Sequence, residues 1–190
     1  MRPSAFKSML GGAALALAAV GLQVALAHAA VSDQSPSGFE LQQTAHIAAS
    51  PDKVYAALIQ PARWWSSAHS FSGDAANMSL DARAGGCWCE KLADGGSVLH
   101  MIVVFVDPGK VLRLRGALGP FQKTGMEGAL TFALKPDGTG TDLTLTFDLG
   151  GYVKGGLADL PKAADAVMGE QILRLKQFIE TGAPESRTSD

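Results

Sequence analysis

Cysteine is almost absent from this chain of 190 residues: it has two. Two thiols cannot supply a disulfide framework or a four-thiolate zinc site. Charge is also scarce, with 16 Lys+Arg against 18 Asp+Glu and a formal net of −2. A phosphate backbone needs a basic face, so no nucleic-acid partner is expected. No Walker P-loop, strand-linked GxGxxG, GxSxG or HExxH occurs, which removes the usual support for nucleotide enzymes and hydrolases. What the chain does hold is apolar residues, 47% of the total, too many for a disordered polymer. The length suits one domain.

The first 29 residues read as an address. Arg2 and Lys7 are the only charges before Asp33, an apolar run covers 9–27, and Ala27-His28-Ala29 is a small-x-small cleavage site. A basic start, an apolar stretch and an A-x-A end form a secretory signal peptide. Ala25-Leu26-Ala27 is a rival cut, and an uncleaved anchor is the other reading of the same run. Cleavage after Ala29 leaves 161 residues with 14 Lys+Arg against 18 Asp+Glu. No second apolar segment of spanning length follows. The expected product is a periplasmic or secreted protein with no membrane partner after signal cleavage.

Residues 30–38 are rich in Ser, Pro and Gly and predict a disordered lead-in. Phe39, Leu41 and Ile47 then alternate with Glu40, Gln42, Thr44 and His46, the pattern of a half-buried strand. Ser50-Pro51 opens a short helix carrying Val54, Tyr55 and Leu58 and ended by Pro61, and a second helical turn carries Trp64 and Trp65. Strand and tight-turn signals fill 78–149, with hairpins expected at Asp94-Gly95-Gly96 and around Asp137-Gly138. Ala164, Val167, Met168, Ile172, Leu175, Phe178 and Ile179 follow a three/four spacing, so a long amphipathic helix runs from Leu160 to Gly182. Residues 183–190 predict a polar, disordered tail. The fold class is α+β: an antiparallel sheet of six or seven strands whose apolar face is covered by the last helix.

Several segments carry a family resemblance. They are Ala49-Ser50-Pro51-Asp52-Lys53-Val54-Tyr55-Ala56-Ala57-Leu58, Pro61-Ala62-Arg63-Trp64-Trp65, Gly85-Gly86, residues 106–114 and the closing helix. In these the chain, over 39–182, resembles the START-like helix-grip superfamily (SRPBCC), nearest its polyketide-cyclase and heat-shock-ATPase-activator-like branch. The resemblance implies a curved sheet wrapped around the C-terminal helix, with an apolar cavity between them. Members bind lipids, sterols or polyketides, sometimes cyclise or hydrate them, or serve as cochaperone modules. An exported chain meets no ATP, so no ATP-dependent chaperone is expected as a partner. No cofactor is implied.

The partner is then a small hydrophobic molecule. Phe132 and Phe147 on the sheet and Met168 and Ile172 on the helix stripe are the expected apolar lining, beside Trp88. Glu90, His100 and Arg113 are the expected polar groups that orient the ligand. Glu90 shares a strand face with Trp88, and burial there would raise its pKa toward acid/base use, so a cyclase or hydratase with Glu90 as catalytic residue is the alternative. Arg113 also reads as a residue of a solvated face.

Cys87-Trp88-Cys89 leaves three readings open. Thiols at i and i+2 share a strand face with Cα atoms about 7 Å apart, at the limit of disulfide reach, so a bond requires a bulge or twist. Two buried thiols are the second reading. The third is a metal or redox site with Cys87, Cys89 and His100, which needs a four-residue hairpin loop to set Cys89 opposite His100.

Overall fold

The apolar alternation of the sequence closes into a single sheet. The computed structural model describes residues 29–184. Its strands are β1 (Ala29–Ser35), β2 (Gly38–Ile47), β3 (Met78–Leu80), β4 (Cys87–Lys91), β5 (Ser97–Asp107), β6 (Val111–Gly116), β7 (Gly125–Asp137) and β8 (Gly140–Tyr152). Helices α1 (Pro51–Leu58) and α2 (Pro61–Trp64) follow β2, and α3 (Leu160–Thr181) closes the described chain. All pairings are antiparallel, in the order β1-β2-β8-β7-β6-β5-β4-β3. This is the α+β helix-grip architecture, with eight strands rather than six or seven.

The extra strand is a correction to the disordered lead-in. Residues 29–35 pair with β2 from Ala29 opposite Gln43 to Ser35 opposite Gly38, around a turn at Pro36 and Ser37. Ser32, Asp33, Gln34 and Ser35 are exposed, so their composition looks like a loop. The strand is held through its backbone ladder, assisted by Ser32 Oγ donating to the Glu40 carboxylate at 2.6 Å. An edge strand with a solvated face needs no apolar period. The leader expected over 1–29 lies, except for Ala29, outside the described residues, as do residues 185–190 of the tail.

The last helix is laid across the sheet by its buried stripe of Ala164, Met168, Ile172, Leu175 and Phe178. Burying each large side chain of this kind contributes roughly 1.5–3 kcal/mol. Pro161 sits in its first turn and Gly182 ends it in the left-handed region at φ 87°, as the sequence predicts, while Asp159 stands at the N-cap position without a side-chain capping bond. Gly169 is the stripe's narrow point. It faces the amide of buried Gln43 on β2, whose Nε2 donates to the Asp165 carboxylate and carbonyl. A side chain at Gly169 would crowd that contact.

Curvature comes from glycine. Gly116 on β6 pairs with Gly128 on β7. A Cβ on Gly116 would lie 2.7 Å from the His100 carbonyl oxygen, and one on Gly128 would fall on the carbonyl oxygen of Asp148. Strands approach this closely only where no side chain intervenes. Gly128→Ala is therefore expected to cost about 2–3 kcal/mol by forcing β7 from β8, read as a lower urea midpoint with an unchanged slope.

Candidate ligand-binding site

The space under α3 is filled at one end and hollow at the other. Toward its C-terminus Ile172 and Leu175 meet a solid core that includes Phe132, Leu143 and Leu145. Toward its N-terminus the helix stands over a cavity of about 400 Å³. Leu160, Ala163, Ala164, Val167 and Met168 form the helical wall, Phe147 the floor, and two loops around Phe71 and Phe121 the sides. The only polar side chains among its lining are His69, Ser70 and Lys123. Small residues at 163 and 164 are what leave the volume open, since the next helical turn carries Met168.

One wall is held by polar straps. Residues 64–69 are fastened to α3 through three helix side chains. Arg174 Nε donates to the Trp64 carbonyl at 3.0 Å, the Ser66 N–H donates to Gln171 Oε1 at 2.8 Å, and His69 Nε2 meets Glu170 Oε2 at 3.2 Å. Trp65 then turns its ring into the cavity, with Nε1–H donating to the His69 carbonyl at 2.9 Å. Trp64 turns the other way, into the core. Its indole N–H is shared by the Ala57 and Leu58 carbonyls at 3.1 and 3.2 Å.

Behind that wall sits a buried carboxylate–imidazole pair. Glu90 accepts from the Phe71 N–H at 3.1 Å, the Ser72 N–H at 2.5 Å and His100 Nε2 at 2.9 Å. Burial pushes the Glu90 carboxyl up. Donation from Ser72, Phe71 and His100 outweighs it and holds the group below the usual carboxylate range. Burial also holds the His100 imidazole below its ordinary value, against the opposing pull of Glu90. A neutral imidazole beside an anion carries its proton on the nitrogen that faces the anion. His100 therefore donates from Nε2, and its Nδ1 is an acceptor, buried and without a hydrogen-bond partner.

The pair forms through an irregularity in the hairpin. Residues 92–96 make a five-residue connection, so Cys89 lies opposite Leu99 and Glu90 opposite Val98. Between Cys89 and Trp88 the register then slips by one, and His100 falls in the bulge between Leu99 and Met101. His100 and Met101 consequently both face inward, which regular alternation forbids. The four-residue loop that would set Cys89 opposite His100 is not formed.

Residues 38–180 match the family described as polyketide cyclase / dehydrase and lipid transport. The chain belongs to this family. Similar solved structures include the conserved protein EF2215 of unknown function from Enterococcus faecalis, at 17% identity and a TM-score of 0.59 over 86% of this chain and 82% of that one. The Aha1 dimer from Colwellia psychrerythraea is 20% identical, with a TM-score of 0.56 over 75% and 97%. CalU16 from Micromonospora echinospora is 16% identical, with a TM-score of 0.52 over 76% and 78%. At such identities the likeness is one of fold. No curated protein sequence matches the chain. The span matched to the polyketide cyclase / dehydrase and lipid transport family starts where β2 starts, so strand β1 stands outside it.

Within this family frame the expected lining divides. Phe147 and Met168 line the cavity. Phe132 and Ile172 are solid core, 1% exposed each. Trp88, Glu90 and His100 stand behind Trp65 and Phe71 rather than in the lining. Arg113 is exposed on the outer face of the sheet, bonded to Thr131 Oγ1 and set over the Phe105 ring; β6 alternation points it away from the helix. Glu90 as an acid/base of raised pKa is overturned, because three donors stabilise its anion. Phe71, Leu118 and Phe121 are lining residues that periodicity missed. Their one signal was large apolar side chains in Ser/Gly/Pro-rich loops, where solvent is the ordinary surrounding.

Cys87 and Cys89 are joined in a disulfide with Cα atoms 5.5 Å apart, drawn together at the bulge. This excludes both the pair of buried free thiols and the Cys87/Cys89/His100 metal set, since the sulfurs are bonded to each other and His100 is bonded to Glu90. Closing so short a loop contributes only about 1.6 kcal/mol in the chain-entropy picture. Cys87→Ser/Cys89→Ser protein is accordingly expected to fold, with stability in urea lowered by no more than about 2 kcal/mol. Among the described residues, the group with metal-ligand chemistry is His46, Asp137 and Asp142, all exposed at the β7–β8 turn. His46 Nδ1 lies 2.9 Å from Asp142 and 3.6 Å from Asp137, an ion-pair arrangement.

Proposed function

We propose that this protein is an exported carrier of a small, largely aromatic hydrophobic molecule, held in the cavity between the sheet and the first half of α3. The observation that carries this reading is the cavity itself. About 400 Å³ is within the range of small-molecule sites, and its walls are apolar with a few polar groups at the rim. Four aromatic rings, Trp65, Phe71, Phe121 and Phe147, favour a planar occupant. The family's association with lipid transport and polyketide chemistry supports an apolar ligand.

Export is supported by the Arg2/Lys7 start, the apolar run and the Ala27-His28-Ala29 site, and by a disulfide, which persists in oxidising compartments. Among the described residues no helix is long and apolar enough to cross a membrane. The expected mature N-terminus is Ala30, read by N-terminal sequencing of protein recovered from the periplasmic or culture fraction. Intact protein beginning at Met1 in the cytoplasm would overturn export without touching the ligand site.

Binding is tested with 1-aminoanthracene, a neutral fluorescent aromatic. Saturable 1:1 binding in the micromolar range is expected, displaced by non-fluorescent aromatics. Emission that stays at its value in buffer across the titration would sink the reading. The cyclase-type alternative draws no support from Glu90, whose carboxyl three donors hold below the usual range.

A further inference from the structure

Two buried polar atoms next to the cavity wall have no use in the apo fold. Trp88 is 2% exposed and His100 is 4% exposed, and neither Trp88 Nε1 nor His100 Nδ1 has a hydrogen-bond partner. Their rings are neighbours, with centroids 6.2 Å apart. Each lies directly behind a ring that lines the cavity: Trp65 against Trp88 at 4.9 Å and Phe71 against His100 at 5.8 Å. Leaving a buried donor or acceptor unmade costs roughly 1–3 kcal/mol, and native interiors seldom keep two side by side.

The two atoms are complementary. An indole Nε1–H can only donate. The His100 Nδ1 can only accept, because Glu90 keeps the ring proton on Nε2. The chemistry of both is met by a hydroxyl, which can accept from an indole and donate to an imidazole. A ketone or ether satisfies one, and a hydrocarbon neither.

The partition is thin. Phe71 is 43% exposed and its ring is the piece between the cavity and His100. Its backbone stays tied to Glu90 through its own N–H, so the ring can rotate toward solvent without the loop detaching. Rotation of this exposed side chain opens the cavity toward His100, whose ring neighbours Trp88.

We propose that Trp88 and His100 form an inner polar subsite that reads a hydroxyl on the cavity's ligand, with Phe71 as the gate and Glu90 as the residue that sets the imidazole's polarity. The ligand class is an aromatic or polycyclic alcohol or phenol that enters hydroxyl first. This rests on the cavity being a ligand site.

The test uses three probes of nearly one shape: 2-naphthol, 2-methoxynaphthalene and naphthalene, titrated calorimetrically into the full mature protein. Wild type should bind 2-naphthol about 30-fold more tightly than naphthalene, the sum of two ordinary net hydrogen bonds, with 2-methoxynaphthalene in between or below. Trp88→Phe should remove about 5-fold of that preference, read as the ratio of the 2-naphthol and naphthalene affinities of the same variant. In wild type, the Trp88 indole N–H resonance and the His100 Nδ1 nitrogen shift should both move with 2-naphthol and stay in place with naphthalene. Equal affinity for the three probes, or a preference that survives Trp88→Phe with unmoved resonances, overturns the subsite and means that water satisfies these atoms. Absence of binding by all three overturns the cavity reading itself, and the subsite with it.

Discussion

Replacing Glu90 by Gln is expected to destabilise the fold by about 3 kcal/mol and to loosen residues 66–74, although size and shape are kept. The carboxylate is fully buried and accepts from two backbone N–H groups and His100. A Gln amide has one acceptor oxygen and presents an NH₂ where a second acceptor is needed, so a donor faces a donor. Hydrogen bonds to a charged acceptor are worth roughly 1.5–3 kcal/mol each, and the single oxygen that remains keeps part of the three. Urea unfolding measures the loss, and hydrogen exchange at the Phe71 and Ser72 amides locates it. Unchanged protection at those two amides would show that the carboxylate does not hold the loop.

The same pair sets a pH dependence. Glu90 has its pKa lowered in the fold, so its contribution is present above the unfolded carboxylate value and is lost as pH falls through the folded one. His100 is also lowered, so below about 6.5, the ordinary imidazole value, the unfolded chain takes up a proton that the fold resists. Both effects have one sign: wild-type stability falls on acidification, starting near that value and steepening through the carboxylate range. Glu90→Gln protein should lack the carboxylate part of this slope. Parallel wild-type and variant curves between pH 6 and 3 would mean that the Glu90 carboxylate carries no linkage.

Ala164→Trp is expected to weaken 1-aminoanthracene binding by about 100-fold or more, equivalent to about 2.7 kcal/mol, without unfolding the protein. Ala164 is on the buried stripe of α3 where the helix crosses the hollow, facing Phe147 and Met168 around the same volume. An indole placed there takes the ligand's position, and the apolar surface it buries offsets the crowding it causes. Thermal unfolding separates the outcomes. A retained melting temperature with lost binding supports an occupied cavity, whereas retained binding would move the ligand elsewhere on the molecule.

The parts legible in the sequence were those that depend on near neighbours along the chain. Alternation at Phe39, Leu41 and Ile47 and along 143–149, the three/four stripe of 164–179, and the boundary residues Pro51 and Gly182 all describe local elements and which of their faces is apolar. That information is carried by the period of the element and needs no partner. Strand β1 escaped because its stabilisation is backbone pairing to β2, and backbone hydrogen bonds leave no mark on composition.

Glu90 and His100 could be named from the sequence but not given their roles. Whether they meet depends on a five-residue connection and a one-residue slip, and a slip of one inverts every side chain beyond it. The same slip brings Cys87 and Cys89 within bonding distance. The cavity could not be read either: Phe71 and Phe121 come from loops 50 residues apart, Ala164 from the last helix and Phe147 from β8. A periodic pattern determines that a surface will be covered. Whether the covering element touches that surface or stands off from it is decided by the sizes of side chains that meet only after the chain has folded, and here two alanines beneath a solid half-helix leave the hollow.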